Sequence, residues 1–303
     1  MAELPFHTYD VFTSRRYEGN PLAVVETADA LGTEQMQTIA REFNLSETIF
    51  IQRPADPAHT AKVRIFYPKG EMPFAGHPTI GCAIHLAEEK NKGEERYRCE
   101  ITLEEEAGLV PVDVVREGDA ITAQLTAPGK PNRSDVDLPE RGSIAAALGL
   151  EARDIGIAGH KPAVFAIGFP FLFIPLASRA ALTLARPNEP HWSALTEAAG
   201  SQAAYCYCAS GQTEMDFHSR MFDPGGGIFE DPATGSATSL LAAQLAASNA
   251  LKEGANRFVI MQGEDMGRPS RLVLETDIDS GVLGKIRIAG SAVRVMSGVL
   301  HTP

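Results

Sequence analysis

Two segments of the chain bring an imidazole or a carboxylate to the head of a string of small residues. Residues 64–86 read RIFYPKGEMPFAGHPTIGCAIHL, and residues 220–240 read RMFDPGGGIFEDPATGSATSL. Both open on Arg-x-Phe-x-Pro, pass through a Gly-rich loop of unequal length, and close on His or Asp followed by Pro-x-x-Gly, then Cys or Ser, Ala-x-x-Leu. The pairs run from Arg64 with Arg220 and Phe66 with Phe222 to His77 with Asp231, Gly81 with Gly235 and Leu86 with Leu240. Agreement at so many spaced positions identifies two copies of one structural unit, about half the chain apart.

Each loop feeds a helix whose first turn is made of small residues. The first amides of a helix have no intrahelical acceptor, so two anion-binding corners are expected. Copies packed face to face about a pseudo-twofold axis would open both corners on one cleft, the usual place for a small-molecule site. The expected ligand is a small carboxylate, with Ser236 adding a hydroxyl donor and Gly76 and Gly235 permitting close backbone approach. The same axis would bring His77 near Asp231, where a carboxylate favours the imidazolium and fixes its orientation. Taken singly, Asp231 would be read as a helix cap; with the loop repeat, a site role is the better reading.

A further acid stands outside the repeat. Glu47, in NLSETIFIQ, lies at the mouth of a β-branched and aromatic run that reads as a strand. By itself it would be a solvated edge residue. In the second copy Ala203 or its neighbour Gln202 takes that place, and a duplicated scaffold with this carboxylate in one copy alone points to a single site.

The elements that must hold these residues follow from periodicity. Residues 4–12 and 22–26 read as a strand pair around a turn at Gly19-Asn20-Pro21. Met36, Ile39, Ala40 and Phe43 have the spacing of a helix with one buried face, with Thr33 as its N-cap. Residues 48–51 and 61–67 are strands, and a helix is expected over about residues 78–89, where Pro78 suits the first turn. Three strands follow, YRCEITLEE, GLVPVDVVREG and DAITAQLTAP, and then PGKPNRSDVDLP reads as a linker. The second half repeats the order. SIAAALGL is a short helix, Gly168-Phe169-Pro170 matches Gly19-Asn20-Pro21, HWSALTEAAG matches the first long helix, AAYCYCAS matches ETIFIQ, and four strands close the copy from Arg257 onward. Strand-rich copies, each with one long and one shorter helix, point to α+β. No GxGxxG follows a strand, and Gly225-Gly226-Gly227 lacks the Lys-Ser/Thr of a phosphate loop, so no nucleotide site is expected.

Composition narrows the functions. A net charge of −12 without a basic cluster argues against a nucleic-acid partner, because that binding rests on neutralising phosphates. Glu3 and Asp10 interrupt the region where a signal peptide needs an apolar core, and no apolar run approaches the ~20 residues of a membrane-spanning helix. Cys82, Cys99, Cys206 and Cys208 form no CxxC pair and no metal-ligand spacing, which suits reduced thiols in a cytoplasmic protein. No membrane, metal or cofactor is expected.

The combination NLSET (44–48), PFAGHPTIG (73–81) and EDPATGSA (230–237), in this order and spacing, resembles the PhzF family of phenazine-biosynthesis-like isomerases. The resemblance spans the chain from YDVFTSRRYEGNPLAVV to the terminal strands. It implies the diaminopimelate epimerase fold: two similar α+β domains, each a curved sheet around a central helix, with the site in the cleft, commonly in a homodimer. It implies that Glu47 is the acid/base that moves a proton between substrate carbons. It places His77 and Asp231 with Glu47 as catalytic residues, while Ser236, with the amides of Gly76 and Gly235, would bind and orient the substrate. Epimerases of this fold use two cysteines, one on each paired loop; here Ala75 and Thr234 stand at those places, which disfavours a two-thiol racemase. Cys82 is then a small core residue.

The resulting expectation is an N-terminal domain over residues 1–128 and a C-terminal domain over residues 129–303, the final strand near residues 290–303 being left open to return to the first. The expected function is a cofactor-independent isomerase acting on a small carboxylate-bearing substrate, its Glu47 made a better acid/base near neutrality by burial. The alternatives are an amino-acid epimerase or racemase, and a non-catalytic binding protein with the same cleft.

Overall fold

The structure is a computed structural model and describes residues 3–157, 159–213 and 215–302. Contacts divide the chain into two compact units, Met1–Pro128 with Arg287–Pro303, and Gly129–Ile286. Residues 287–303, whose final strand the sequence leaves open to return to the first domain, group with the first unit. Their strand completes a ladder there, and a strand gives up its unpaired amides and carbonyls only beside another strand.

The first unit contains β1 (Glu3–Val11), β2 (Asn20–Val25), α1 (Thr33–Phe43), β3 (Glu47–Gln52), β4 (Ala61–Tyr67), β5 (Gly70–Met72), α2 (Gly76–Lys90), β6 (Arg96–Glu105), β7 (Gly108–Glu117) and β8 (Ala120–Thr126). The second holds β9 (Asn132–Arg133), α3 (Arg141–Ala147), β10 (Ala163–Ile167), β11 (Phe169–Pro175), α4 (Arg179–Leu184), α5 (His191–Ala199), β12 (Ala203–Ala209), β13 (Phe217–Asp223), β14 (Ile228–Asp231), α6 (Gly235–Ala247), β15 (Gly254–Gln262) and β16 (Ser270–Asp279). β17 (Val282–Gly290) runs across the boundary, and β18 (Ala292–His301) ends the chain in the first unit.

In the first unit the strands pair in the order β18-β1-β2-β3-β4-β6-β7-β8-β17, with β2/β3 and β4/β6 parallel and the other pairs antiparallel. This sheet curves around α2, which contacts strands from β18 and β1 through β8. Because α2 meets sheet on most sides, its apolar residues run all round it and Ile80, Cys82, Ala83, Ile84 and Ala87 are fully buried. Gly81 lets the helix approach the sheet: a Cβ there would meet Leu22 Cδ2 at 2.5 Å and Val11 Cγ2 at 2.9 Å. The opposite face of the sheet is covered by α1, through Met36, Ile39 and Ala40 packed with Val25, Phe50 and Phe66. Gly32, not Thr33, precedes that helix. Its N–H donates to Gln35 Oε1 at 3.0 Å, and the Thr33 hydroxyl instead accepts from Arg64.

The second unit follows the same pairing, β9-β10-β11-β12-β13-β15-β16, with β11/β12 and β13/β15 parallel. The registers coincide. Leu22 opposes Glu47 as Phe171 opposes Ala203, Thr48 opposes Phe66 as Ala204 opposes Phe222, and Ala61 opposes Leu103 as Phe217 opposes Ile260. Ala203, not Gln202, therefore occupies the position of Glu47. Gly19 and Gly168, at φ +68° and +76°, turn the chain at matching points before β2 and β11. Ala204, Cys206 and Cys208 face α3, α4 and α5 in the second unit's core.

The repeated Arg-x-Phe string has a structural cause. In β4, Arg64 stacks over Phe66, with its guanidinium carbon 5.1 Å from the ring centroid, and grips Glu71 of β5 through two hydrogen bonds. In β13, Arg220 stacks over Phe222 at 4.8 Å and grips Glu230 of β14 at 2.7 Å through each of two nitrogens. Each fork locks one hairpin, and each hairpin delivers the chain to the central helix of its unit. Arg220, 1% exposed, also donates to the carbonyls of Leu182, Thr183 and Ala185 at the end of α4.

Candidate active site

In the first unit, two of the expected site residues are in contact. Glu47 opens β3, and its side chain is only 12% exposed, so it is not a solvated edge residue. The helix expected from residue 78 begins at Gly76, which places His77 in its first turn. His77 Nδ1 lies 3.1 Å from Glu47 Oε2 and 3.4 Å from Asn20 Nδ2. Burial pushes the pKa of His77 down to about 3, the Pro21 carbonyl opposing this, so the ring is neutral at physiological pH. That reverses the expected imidazolium: desolvation of an enclosed ring outweighs the attraction of a nearby acceptor. A neutral imidazole 3.1 Å from the carboxyl group adds no second charge to the buried pair. Gly76, the first residue of α2, presents an amide with no intrahelical acceptor.

In the second unit, Asp231 is the last residue of β14 and is 6% exposed. Its Oδ2 accepts a 2.6 Å hydrogen bond from the Thr234 hydroxyl. Gln262 ties the turn together: its Nε2 donates to the Asp231 carbonyl at 2.8 Å and to Thr234 Oγ1 at 3.0 Å, and its Oε1 accepts from Thr234 N at 3.2 Å. Gly235 and Ser236 are the first two residues of α6; Gly235 is buried and Ser236 partly exposed. The turn is thus held by side chain and backbone together.

The pairing of His77 with Asp231 does not survive. His77 is the second residue of α2, whereas Asp231 lies ahead of the loop that leads into α6. The string Pro-x-x-Gly falls inside the helix in one unit and before it in the other. Counted from the helix starts, Gly76 matches Gly235, His77 matches Ser236, and Ala75 matches Thr234. Ala75 and Thr234, the two places where thiols would stand, are thus the residues immediately preceding the two central helices. Cys82 lies deeper in α2 with no exposure, its thiol pushed well above the ordinary range by burial, and burial pushes the Cys206 thiol up to about 12. Neither is a thiolate nucleophile at neutral pH.

Sequence reasoning passed over three residues that shape these half-sites. Asn20 stands in the sequence as turn punctuation, Glu105 as the end of a strand, and Gln262 carries no signal there. Glu105, at the end of β6, is 8% exposed, and its Oε1 lies 2.6 Å from the hydroxyl of Thr79 in α2. The Thr79 hydroxyl is also 2.7 Å from the Ala75 carbonyl. One hydroxyl proton cannot serve two acceptors, and the carbonyl can only accept, so both contacts are satisfied when Glu105 is protonated and donates to Thr79. Burial pushes the pKa of Glu105 up to about 8, in agreement with that assignment.

Comparison with known proteins places the chain. Residues 9–298 match the family model PhzC-PhzF, phenazine biosynthesis-like protein. An uncharacterized isomerase of Mesorhizobium japonicum is 42% identical over 296 residues, 96% of this chain and 97% of that protein. The trans-2,3-dihydro-3-hydroxyanthranilate isomerase of Pseudomonas aeruginosa is 34% identical over 289 residues, 95% of this chain and 96% of that one. Among solved structures, a Bacillus anthracis phenazine biosynthesis protein of the PhzF family superposes with a TM-score of 0.86 at 25% identity, covering 99% of this chain and all of that one. The α+β fold of sheets around central helices is that of the diaminopimelate epimerase-like proteins. With matching motifs, matching fold and similarity along its whole length to named isomerases, this chain belongs to the PhzC-PhzF family of phenazine biosynthesis-like proteins and is an isomerase.

Proposed function

We propose that the chain is a cofactor-independent isomerase in which Glu47 removes a proton from one carbon of a small carboxylate-bearing substrate and returns it to another. The observation that carries this reading is the pair formed by Glu47, largely withdrawn from water, and the neutral ring of His77, 3.1 Å away at the start of α2. A fixed substrate lets one base serve both carbons on one face. In this proposal the neutral ring of His77 orients Glu47. The groups proposed to bind substrate are the amide of Gly76 in the first unit and, in the second, the amide of Gly235, the hydroxyl of Ser236 and Asp231, braced by Thr234 and Gln262.

The coincident registers of the two units support an internal duplication, in which only the first copy carries the base. Family resemblance supports a cytoplasmic homodimer. An epimerase working through two thiols is disfavoured by Ala75 and Thr234 at the residues ahead of α2 and α6.

The Pseudomonas aeruginosa relative acts on an anthranilate derivative, itself a carboxylate, and trans-2,3-dihydro-3-hydroxyanthranilate is the first probe. Incubation in deuterium oxide is expected to place deuterium at a substrate carbon. Glu47→Gln keeps the shape and removes the base, and is expected to lower turnover by about 10²–10⁴-fold. Unchanged turnover in that variant would sink the mechanism. A pure binding protein would bind the probe and exchange no deuterium.

A further inference from the structure

Away from the candidate site, three side chains of the first unit converge on one point. His7 lies in β1, Glu26 directly follows β2, and His85 lies about two turns beyond His77 along α2. His7 Nε2 is 2.8 Å and His85 Nε2 is 3.2 Å from the same oxygen, Glu26 Oε1. The two imidazole rings face each other with centroids 4.8 Å apart.

The other nitrogen of each ring is held from behind. His7 Nδ1 is 2.8 Å from the Ser297 hydroxyl of β18, and His85 Nδ1 is 3.1 Å from the Tyr9 hydroxyl of β1. The Tyr9 oxygen accepts from Arg294 Nε at 2.8 Å and donates its single proton to Glu88 Oε2 at 3.2 Å. It therefore accepts from His85 Nδ1–H, and that tautomer turns the lone pair of His85 Nε2 toward the Glu26 carboxylate. Two electron-rich atoms 3.2 Å apart repel unless something positive lies between them. The charge of Arg294, which would oppose a cation, is matched by Glu89 at 3.1 Å and Glu88 at 3.5 Å.

We infer that His7, Glu26 and His85 form a binding site for a divalent transition-metal ion of the zinc, cobalt or nickel class. Two neutral imidazoles and one carboxylate are the donor set such ions prefer, and ring nitrogens fixed by outer hydroxyls are the usual support for metal-bound histidine. The spacing suits it as well. Ligands about 2.0–2.1 Å from a tetrahedral ion stand about 3.3 Å from one another, against the 2.8 Å and 3.2 Å seen here, and the three ligand atoms lie within 4.8 Å of one another. Glu26 is partly exposed, which leaves an entry path for the ion. The ion would pin α2, the helix that carries His77, to β1 and β2.

The test uses the untagged full-length protein, stripped with a chelator and titrated calorimetrically with Zn²⁺. One ion per chain is expected. Glu26→Gln and His7→Gln are each expected to weaken binding by at least about tenfold, and Ser297→Ala and Tyr9→Phe, which remove the outer hydroxyls, by about tenfold. Absence of uptake overturns the proposal, and so does uptake whose affinity is unchanged in Glu26→Gln and His7→Gln. If a variant fails to fold, the imidazole ¹⁵N spectrum of the wild-type protein decides: Zn²⁺ is expected to shift Nε2 of His7 and His85, and shifts confined to other histidines overturn the assignment.

Discussion

Glu105 offers a quantitative test of how the base of α2 is built. Its pKa rises from 4.5 to about 8 because the carboxyl is shut away from water, while the bond with Thr79 works in the other direction. The folded protein therefore keeps a proton on Glu105 that the unfolded chain releases between those two values. Stability from this group is undiminished below pH 4.5, falls as pH rises, and reaches its full loss above about pH 8. At about 1.4 kcal/mol per pKa unit, the cost is about 3 kcal/mol at neutral pH and about 5 kcal/mol by about pH 9. Glu105→Gln is the discriminating change, because the amide donates to Thr79 as the protonated acid does and never ionises. Urea unfolding of both proteins, followed by circular dichroism from about pH 5 to about pH 9, should show nearly equal stability at the acid end and a growing advantage for the variant at the alkaline end. Tryptophan fluorescence is the wrong probe, since the single tryptophan, Trp192, reports on the second unit. Two curves that run parallel across this range would show that Glu105 ionises freely in the folded state, and the proton assignment at Thr79 would be wrong.

Two further outcomes are expected. His77 and His85, both driven to about 3 by burial, should show no change in their ring proton shifts across the range around pH 6.5 where an unburied imidazole titrates; a midpoint near that value for His77 would refute the neutral ring beside Glu47. The two Arg-Glu forks should differ sharply in worth, since the Arg220 side chain is 2% exposed and that of Arg64 is 22% exposed. Arg220→Ala, which strands Glu230 and three carbonyls, should lose about 3–5 kcal/mol, whereas Arg64→Ala should lose about 1 kcal/mol, as measured by denaturant unfolding. Equal losses would mean that burial is not what separates them.

The α+β class, the paired strings and most of the strands were legible in the chain itself, because they rest on short-range properties. Apolar residues at 36, 39, 40 and 43 demand one helical face whatever surrounds them, and the β-branched run after Glu47 demands a strand. The Arg-x-Phe string could be matched between copies because each arginine serves its own hairpin, only a few residues away. Register and helix starts were different. The repeated Pro-x-x-Gly string suggested that His77 and Asp231 are counterparts, yet proline is tolerated both in a helix's first turn and in the loop before it, so the string alone does not locate the helix. Only the ladders, with Leu22 against Glu47 and Phe171 against Ala203, identify Ala203 as the counterpart of Glu47.

What tertiary structure alone decided are the contacts between residues far apart in the chain, and the dielectric around them. Nothing local brings Glu47 to His77, Thr79 to Glu105, or His7 and Glu26 to His85; curvature of the sheet around α2 does so. Burial then sets the chemistry. It leaves His77 neutral where its polar neighbours suggested a charge, and it keeps a proton on Glu105. The amino-acid sequence determined which groups could act and roughly where they lie along the strands and helices. Their protonation and their partners depend on desolvation, which is a property of the assembled core and of no segment by itself.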